Sequence, residues 1–379
     1  MLNSMHSKTR SEIDSDLQVA RVVRPGLEEL FVTATLRAGD DGRAMFGKVH
    51  RLVREAGATI VAEDVYGVPI SYQSALANGE ENGRCVDWPV TWLNDGADVY
   101  PGLAGLQLHA IQGAAVDRIE RNGCIVGSVF DDGVARHCRL GGLLPPDLSA
   151  PPEQQARATF ELMEVLLQSI DMDFTQVIRT WLYLDRILGW YHLFNRVRDV
   201  FFQERKIFEK IVPASTAIGG VNPAGAALMA GAYAVQPNDG SVTICAVPSP
   251  LQSPALEYGS SFSRALELAG PGHRRLWISG TASIGLDGQT LWTDNLVEQI
   301  NLTMNVVAAI LESRGMSWPD ATRAVAYVKE KSATKAFQDY CFAHGLHLPA
   351  VTSQNEICRE ELLFEIELDA CRHGASSNV

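Results

Sequence analysis

The sequence lacks the local signatures of several common chemistries: no P-loop, no GxGxxG behind a strand, no HExxH and no GxSxG. Its seven cysteines stand singly, with no CxxC pair, and residues 1–16 lack the apolar stretch of a signal peptide. Free thiols, a cytoplasmic location and no structural metal are the expectation. No apolar run approaches the ~20 residues that a membrane-spanning helix needs, so no membrane partner is expected. Basic residues are in the minority, 32 Lys and Arg against 45 Asp and Glu, for a net charge of −13. No basic run offers a polyanion a footing, which argues against nucleic acid as a partner.

The remaining composition, 46% apolar and 20% charged over 379 residues, suits a globular protein with a substantial core. Residues 1–28 read as a loose arm. Alternating and β-branched runs at 30–36, 58–66 and 106–111 read as strands, with a helix at 44–56 and an irregular stretch at 74–102. Asn122-Gly123 marks a hairpin between strands 117–121 and 124–130. Pro151 and Pro152 open a helix expected over 153–170, followed by a strand at 177–184, a helix at 190–206 and a strand at 226–235. The same order returns as a strand at 275–282, a helix at 296–313, a strand at 322–328, a helix at 333–344 and a closing strand at 362–368. Residues 173–181 align with 318–326, and Pro213-Ala214-Ser215-Thr216 with Pro349-Ala350-Val351-Thr352. An internal repeat of about 110–130 residues follows, too small a sheet per copy to bury its helices alone. Three copies imply an α+β pseudo-trimer with clefts where units meet. The units are expected at 29–115 (degenerate), 116–250 and 251–372.

In the closing strand, Leu362, Phe364, Ile366 and Leu368 make one apolar face, and Leu363, Glu365, Glu367 and Asp369 the other. A carboxylate inside a packed strand must be protonated, paired or cleft-facing. The alternative is that this face is open to solvent and Glu365 is a surface acid. The aromatic cluster Trp181, Tyr183, Trp190, Tyr191 and Phe194 reads as core packing.

The repeat resembles the Rid (YjgF, endoribonuclease L-PSP-like) family, whose single-unit members are trimers with active sites between subunits. Rid deaminases hold a substrate carboxylate with an arginine after a Pro-Ala pair; here that place is taken by Ser215 and Val351. The C-terminal third resembles the chorismatases, three-repeat relatives of that fold. The resemblance rests on Tyr258-Gly259, Phe262-Ser263-Arg264-Ala265, Ile278-Ser279-Gly280-Thr281-Ala282 and Cys358-Arg359-Glu360-Glu361-Leu362-Leu363-Phe364-Glu365, with Arg179-Thr180-Trp181 in the second unit. It departs from the family at Leu182, where asparagine is usual.

The resemblance places the catalytic carboxylate at Glu365. Gly280 and Cys358 match the subtype that forms 3-hydroxybenzoate; the hydrolysing subtype has alanine at both. The implied reaction is cleavage of chorismate, a dicarboxylate, to pyruvate and 3-hydroxybenzoate without metal or organic cofactor. Glu365 would act as general acid, Cys358 as a proton shuttle, and Arg359, Arg264, Arg179 and Tyr258 as substrate ligands. Each has a structural alternative: Arg359 paired with Glu360 and Glu361, Arg264 in a solvated loop, Arg179 held by Asp173, Cys358 as a small apolar residue, Glu367 as the acid instead. Two other functions stay open, a Rid-type imine or enamine deaminase of altered specificity and a non-catalytic protein that binds a small anion or another protein. The body is expected to be a monomeric pseudo-trimer or a higher homo-oligomer.

Overall fold

The computed structural model describes residues 9–14, 16–36, 42–67, 86–94 and 104–373. It contains three six-stranded sheets. The first is built from β1 (Thr9–Asp14), β2 (Leu17–Arg24), β3 (Leu27–Thr35), β4 (Thr59–Tyr66), β5 (Val90–Leu93) and β6 (Gly105–Gln112), with helix α1 (Gly42–Glu55). The second has β7 (Val116–Arg121), β8 (Cys124–Asp131), β9 (Ala135–Leu143), β10 (Val177–Leu184), β11 (Ala214–Gly219) and β12 (Leu228–Pro237), with α2 (Pro152–Gln168) and α3 (Ile187–Glu204). The third has β13 (Thr243–Val247), β14 (Ala265–Gly270), β15 (His273–Ala282), β16 (Ala321–Val328), β17 (Ala350–Gln354) and β18 (Phe364–His373), with α4 (Leu296–Ser313) and α5 (Ser332–Ala343). Each sheet runs in one order, β1-β2-β3-β6-β4-β5 and its two equivalents. The α+β, three-unit architecture is therefore the observed one.

Local chemistry fixes the element ends. Asn122 and Gly123 both take positive φ, 52° and 79°, as a two-residue hairpin turn requires. Pro151 is the N-cap of α2, with Pro152 at the first helical position, where a missing N–H costs nothing. Capping boxes at Asp173 and at Ser317 each start a 3-10 turn that feeds a strand, β10 and β16. Aligning these caps shifts the sequence repeat by one residue, so that Arg179 matches Arg323; the antiparallel registers Arg179↔Tyr233 and Arg323↔Asp369 agree. A one-residue slip would exchange the two faces of the strand.

Three other expectations need correction. The arm at 1–28 contains β1, a short polar edge strand, and β2, whose adjacent buried residues Val19 and Ala20 break the alternation that would have announced it. The third unit begins at β13, inside the expected second unit, because β13 pairs with β14. The closing strand starts at Phe364, not Leu362, and Leu362 packs in the central cluster away from Phe364, Ile366 and Leu368. Of the irregular stretch, residues 86–94 are described and hold β5; Cys85 lies outside the described residues.

The helices cover one face of each sheet. Ile300, Met304, Val307 and Ile310 of α4 meet Phe364, Ile366 and Leu368, all within one core, and each such side chain stabilises the fold by about 1.5–3 kcal/mol. The opposite faces converge on a cluster drawn from all three units. There one tyrosine per unit, Tyr66, Tyr183 and Tyr327, occupies the same register, opposite Gly105, Met229 and Glu365 respectively. All three phenols are buried and lie in one another's electrostatic field.

Ion pairs lock the units together. Arg139 of the second unit holds Asp64 of the first with two bonds of 3.0 Å. Glu29 of the first unit, fully buried, is paired with Arg275 of the third and, at 3.0 Å, with Arg24. Among the described residues Glu29 is the only acid on Arg275, so Glu29→Leu strands a buried guanidinium. Denaturant unfolding should show a loss of about 3–5 kcal/mol, most of it recovered by adding Arg275→Met. A neutral Glu29→Leu would show that this pair does not hold the interface.

Candidate active site

The acid face of β18 splits into two carboxyls of opposite character. Glu367, fully buried, is ion-paired with Arg179 at 2.8 Å and with Arg323 at 2.6 Å, and accepts the Trp181 indole N–H at 3.0 Å. Burial alone would raise its pKa, but the two guanidiniums hold it below the ordinary carboxylate range. Glu365, two residues earlier on the same face, has no ion pair among the described residues and lines a cavity of about 370 Å³. Burial and then the negative charge of Glu367 push its pKa up to about 8, against a weaker opposing pull from Arg179. Glu365 is therefore a neutral acid at neutral pH, and Glu367, the alternative acid, is a fixed anion.

Space for the Glu365 carboxyl comes from an absent side chain. A Cβ on Gly280 would lie 2.0 Å from Glu365 Oε1 and 3.3 Å from Thr216 Cγ2. The Gly280 N–H donates to Thr216 Oγ1 at 3.1 Å, and Arg179 Nη2 donates to the same hydroxyl at 2.6 Å. The Ser279 hydroxyl accepts the Ser215 N–H at 2.8 Å, which stitches β15 of the third unit to β11 of the second. The carboxyl thus sits at the seam between those units.

Six of the seven expected site residues, Glu365, Cys358, Arg359, Arg264, Tyr258 and Gly280, line this one cavity. Arg264 is buried, not in a solvated loop; its Nε and Nη2 donate to Ser253 O at 3.0 and 2.9 Å. Arg359 donates to Gly288 O at 2.8 Å, while Glu360 pairs with Lys329 instead. Both guanidinium carbons lie near the Tyr258 ring, at 5.3 Å for Arg264 and 5.6 Å for Arg359. Burial, with help from Glu365, pushes the Cys358 thiol up to about 12, so it stays protonated.

Arg179 is the exception. It does not line the cavity; it is fully buried on Glu367 and Thr216, and Asp173 is spent on capping Thr175. Its part is to hold Glu367 and Thr216, which in turn shape the surroundings of Glu365. Leu182, the departure from the chorismatase pattern, faces the helix-covered core of the second unit and not the cavity.

The second unit adds residues that the sequence did not single out. Tyr191, Asn195 and Arg198 of α3 border the cavity. Tyr191, expected in the core, packs against it with its ring stacked on Phe194 and also borders the cavity. Spacing of i, i+4 and i+7 puts the three on one helix face, a signal present in the sequence. A separate void of about 60 Å³ lies at the meeting point of the three units, among charges already paired with each other, such as Asp64 and Arg139.

Neither family models nor curated proteins match the sequence. Solved structures do. A chorismatase crystal structure superposes with a TM-score of 0.62 at 17% identity, over 90% of this chain and 98% of that one. The YjgF gene product of E. coli and yeast Mmf1 each cover 34% of the chain and match over 98% of their own length. Their identities are 18% and 20%, with TM-scores of 0.27 and 0.28.

Replacing Glu365 by Gln should stabilise the protein in a pH-dependent way. Below about 4.5 the wild-type carboxyl is neutral folded and unfolded; between there and about 8 only the unfolded chain ionises, which costs the native state stability. The advantage of Glu365→Gln in thermal unfolding should grow across that window, by up to about 1.4 kcal/mol per pH unit, and level off above it. A constant difference would mean that Glu365 titrates normally. The chain, three sheets of one strand order in a single polypeptide, has the fold of chorismatase.

Proposed function

We propose that the cavity binds chorismate and cleaves it to pyruvate and 3-hydroxybenzoate, with Glu365 as general acid. The carrying observation is the charge on the cavity wall. Arg198, Arg264 and Arg359 border it, and among the described residues none has a carboxylate within ion-pair distance. The buried arginines elsewhere, Arg139, Arg179, Arg275 and Arg323, all do. Asp199 also borders the cavity and attracts Arg198 from beyond ion-pair distance, but in a chain of net charge −13 three guanidiniums without a direct ion pair beside the protonated Glu365 favour a dianion that needs a proton.

Chorismate fits both demands. Its enol ether breaks once the methylene carbon is protonated, and a carboxyl with a pKa near 8 carries that proton at neutral pH. The neighbouring ring hydroxyl then displaces the oxocarbenium-like side chain, giving an arene oxide and pyruvate, and aromatisation yields 3-hydroxybenzoate. No water is consumed overall. Returning the hydroxyl proton to Glu365 closes the cycle, and the protonated Cys358 thiol beside it is positioned to relay that proton. The deaminase reading loses support here, since Ser215 lines the cavity without charge and Val351 is packed against Gly105 in another seam.

Incubation with chorismate should release equal amounts of pyruvate and 3-hydroxybenzoate, identified by chromatography. Glu365→Gln should lower kcat by about 10²–10⁴-fold. In the wild type, kcat/KM should fall as pH rises through about 8, where Glu365 loses its proton. No pyruvate from the wild type would sink the proposal. Gly280→Ala, by forcing the carboxyl aside, should slow turnover and raise the share of the non-aromatic dihydroxycyclohexadiene carboxylate. An unchanged rate and product would remove Gly280 from the account.

A further inference from the structure

The cavity has two cationic poles on different units. One is Arg264 and Arg359, on either side of Tyr258 in the third unit. The other is Arg198 in the second. Arg198 is 1% exposed; Nη2 donates to Asn195 Oδ1 at 2.7 Å, while Nε and Nη1 have no hydrogen-bond partner among the described residues. The ring of Phe194, 5.4 Å from its Cζ, and the neighbouring Tyr191 hydroxyl are its other supports. Asp199, whose carboxylate accepts the Ser261 hydroxyl, acts on Arg198 only from beyond ion-pair distance, so the two unmet donors are costly to bury unless an anion arrives to meet them.

The poles are not equivalent with respect to the acid. Glu365 lies at the seam with the second unit, where a Cβ on Gly280 would touch both Glu365 and Thr216. Tyr191 stands within electrostatic reach of both Arg198 and Glu365, with Cys358 beside them. Tyr258 is in the same relation to Arg264, Arg359 and Cys358. Glu365 therefore belongs to the Arg198 side. In an enolpyruvyl group the carboxylate and the methylene that takes the proton share one carbon, whereas the ring carboxylate is on a ring carbon two positions from the one that bears the ether. Delivering the methylene to Glu365 brings its neighbouring carboxylate to the nearer pole.

We propose that Arg198, held by Asn195 and flanked by Tyr191, is the specificity-determining residue for the enolpyruvyl carboxylate, and that Arg264 and Arg359 take the ring carboxylate. The assignment rests on the reading of the cavity as a chorismate site. It divides the two halves of one substrate between two structural units. Substrates or inhibitors with only the ring carboxylate use only the third unit's pole.

The test compares chorismate turnover with binding of 3-hydroxybenzoate, which carries the ring carboxylate alone. Arg198→Met should raise KM for chorismate about tenfold or more and leave 3-hydroxybenzoate affinity within about twofold; Arg264→Met should weaken both. Arg198→Lys should recover part of the KM loss, which a purely structural role would not give. Asn195→Asp supplies Arg198 with an internal carboxylate and should mimic Arg198→Met, which keeps the test open if the latter does not fold. Equal weakening of 3-hydroxybenzoate by Arg198→Met and Arg264→Met, or an unchanged KM in both Arg198→Met and Asn195→Asp, would overturn the assignment. Pyruvate release by the wild type secures the site reading independently of these variants, and its absence overturns both.

Discussion

The pairing of Glu367 with Arg179 and Arg323 is the contact on which both the assembly and the chemistry depend. It joins β10 of the second unit to β16 and β18 of the third, and Arg323 extends it to the Tyr66 hydroxyl of the first at 3.0 Å. Taking these groups out of water is expensive, and only the mutual pairing makes it tolerable. The consequence reaches two residues along the strand. Burial first, and then the fixed anion of Glu367 on the same face, make ionisation of Glu365 costly, so Glu365 keeps its proton. One charged knot therefore holds the three sheets to their common centre and prepares the acid.

The three units share a frame but not a site. The register that places Glu365 opposite Tyr327 places Met229 opposite Tyr183 and Gly105 opposite Tyr66. At Gly105 a Cβ would come within 2.5 Å of the Ala34 carbonyl and 3.0 Å of Val351, so the seam between the third and first units is closed by packing where the other seam holds its acid. The tyrosine is common to all three because it fills the shared core. At Glu365 the seam leaves an open cavity, and Gly280 leaves room for the carboxyl. A pseudo-symmetric fold thus supports an asymmetric centre, with the acid on one unit and the cationic poles on two.

How much of this was legible depended on how local each signal is. The alternation in the closing strand exposed the two acid positions, and helix stripes such as Ile300, Met304, Val307 and Ile310 located the core. Pro151-Pro152 and the Asn122-Gly123 turn mark boundaries because their chemistry is contained in a few residues. What separates Glu365 from Glu367 is not local: Arg179 is 188 residues from Glu367, and no pattern along the chain reveals that partner. For the same reason Arg179 read as a substrate ligand. Arg198 carries no local signal of its burial, because a polar helix face reads as solvated until a neighbouring unit covers it. The short edge strands of the first and third sheets, β1 and β13, lack the alternation that would announce them.

The central claim is that, of two carboxyls on one strand, Glu365 is protonated and Glu367 ionised in the folded protein near neutral pH. Infrared difference spectroscopy of wild type against Glu365→Gln tests it directly, since a neutral carboxyl and a carboxylate absorb in separate regions. The account predicts a protonated-carboxyl band at pH 6–7 that is absent from Glu365→Gln and converts to a carboxylate band as pH passes about 8. A carboxylate signal from Glu365 already at pH 6 would contradict it.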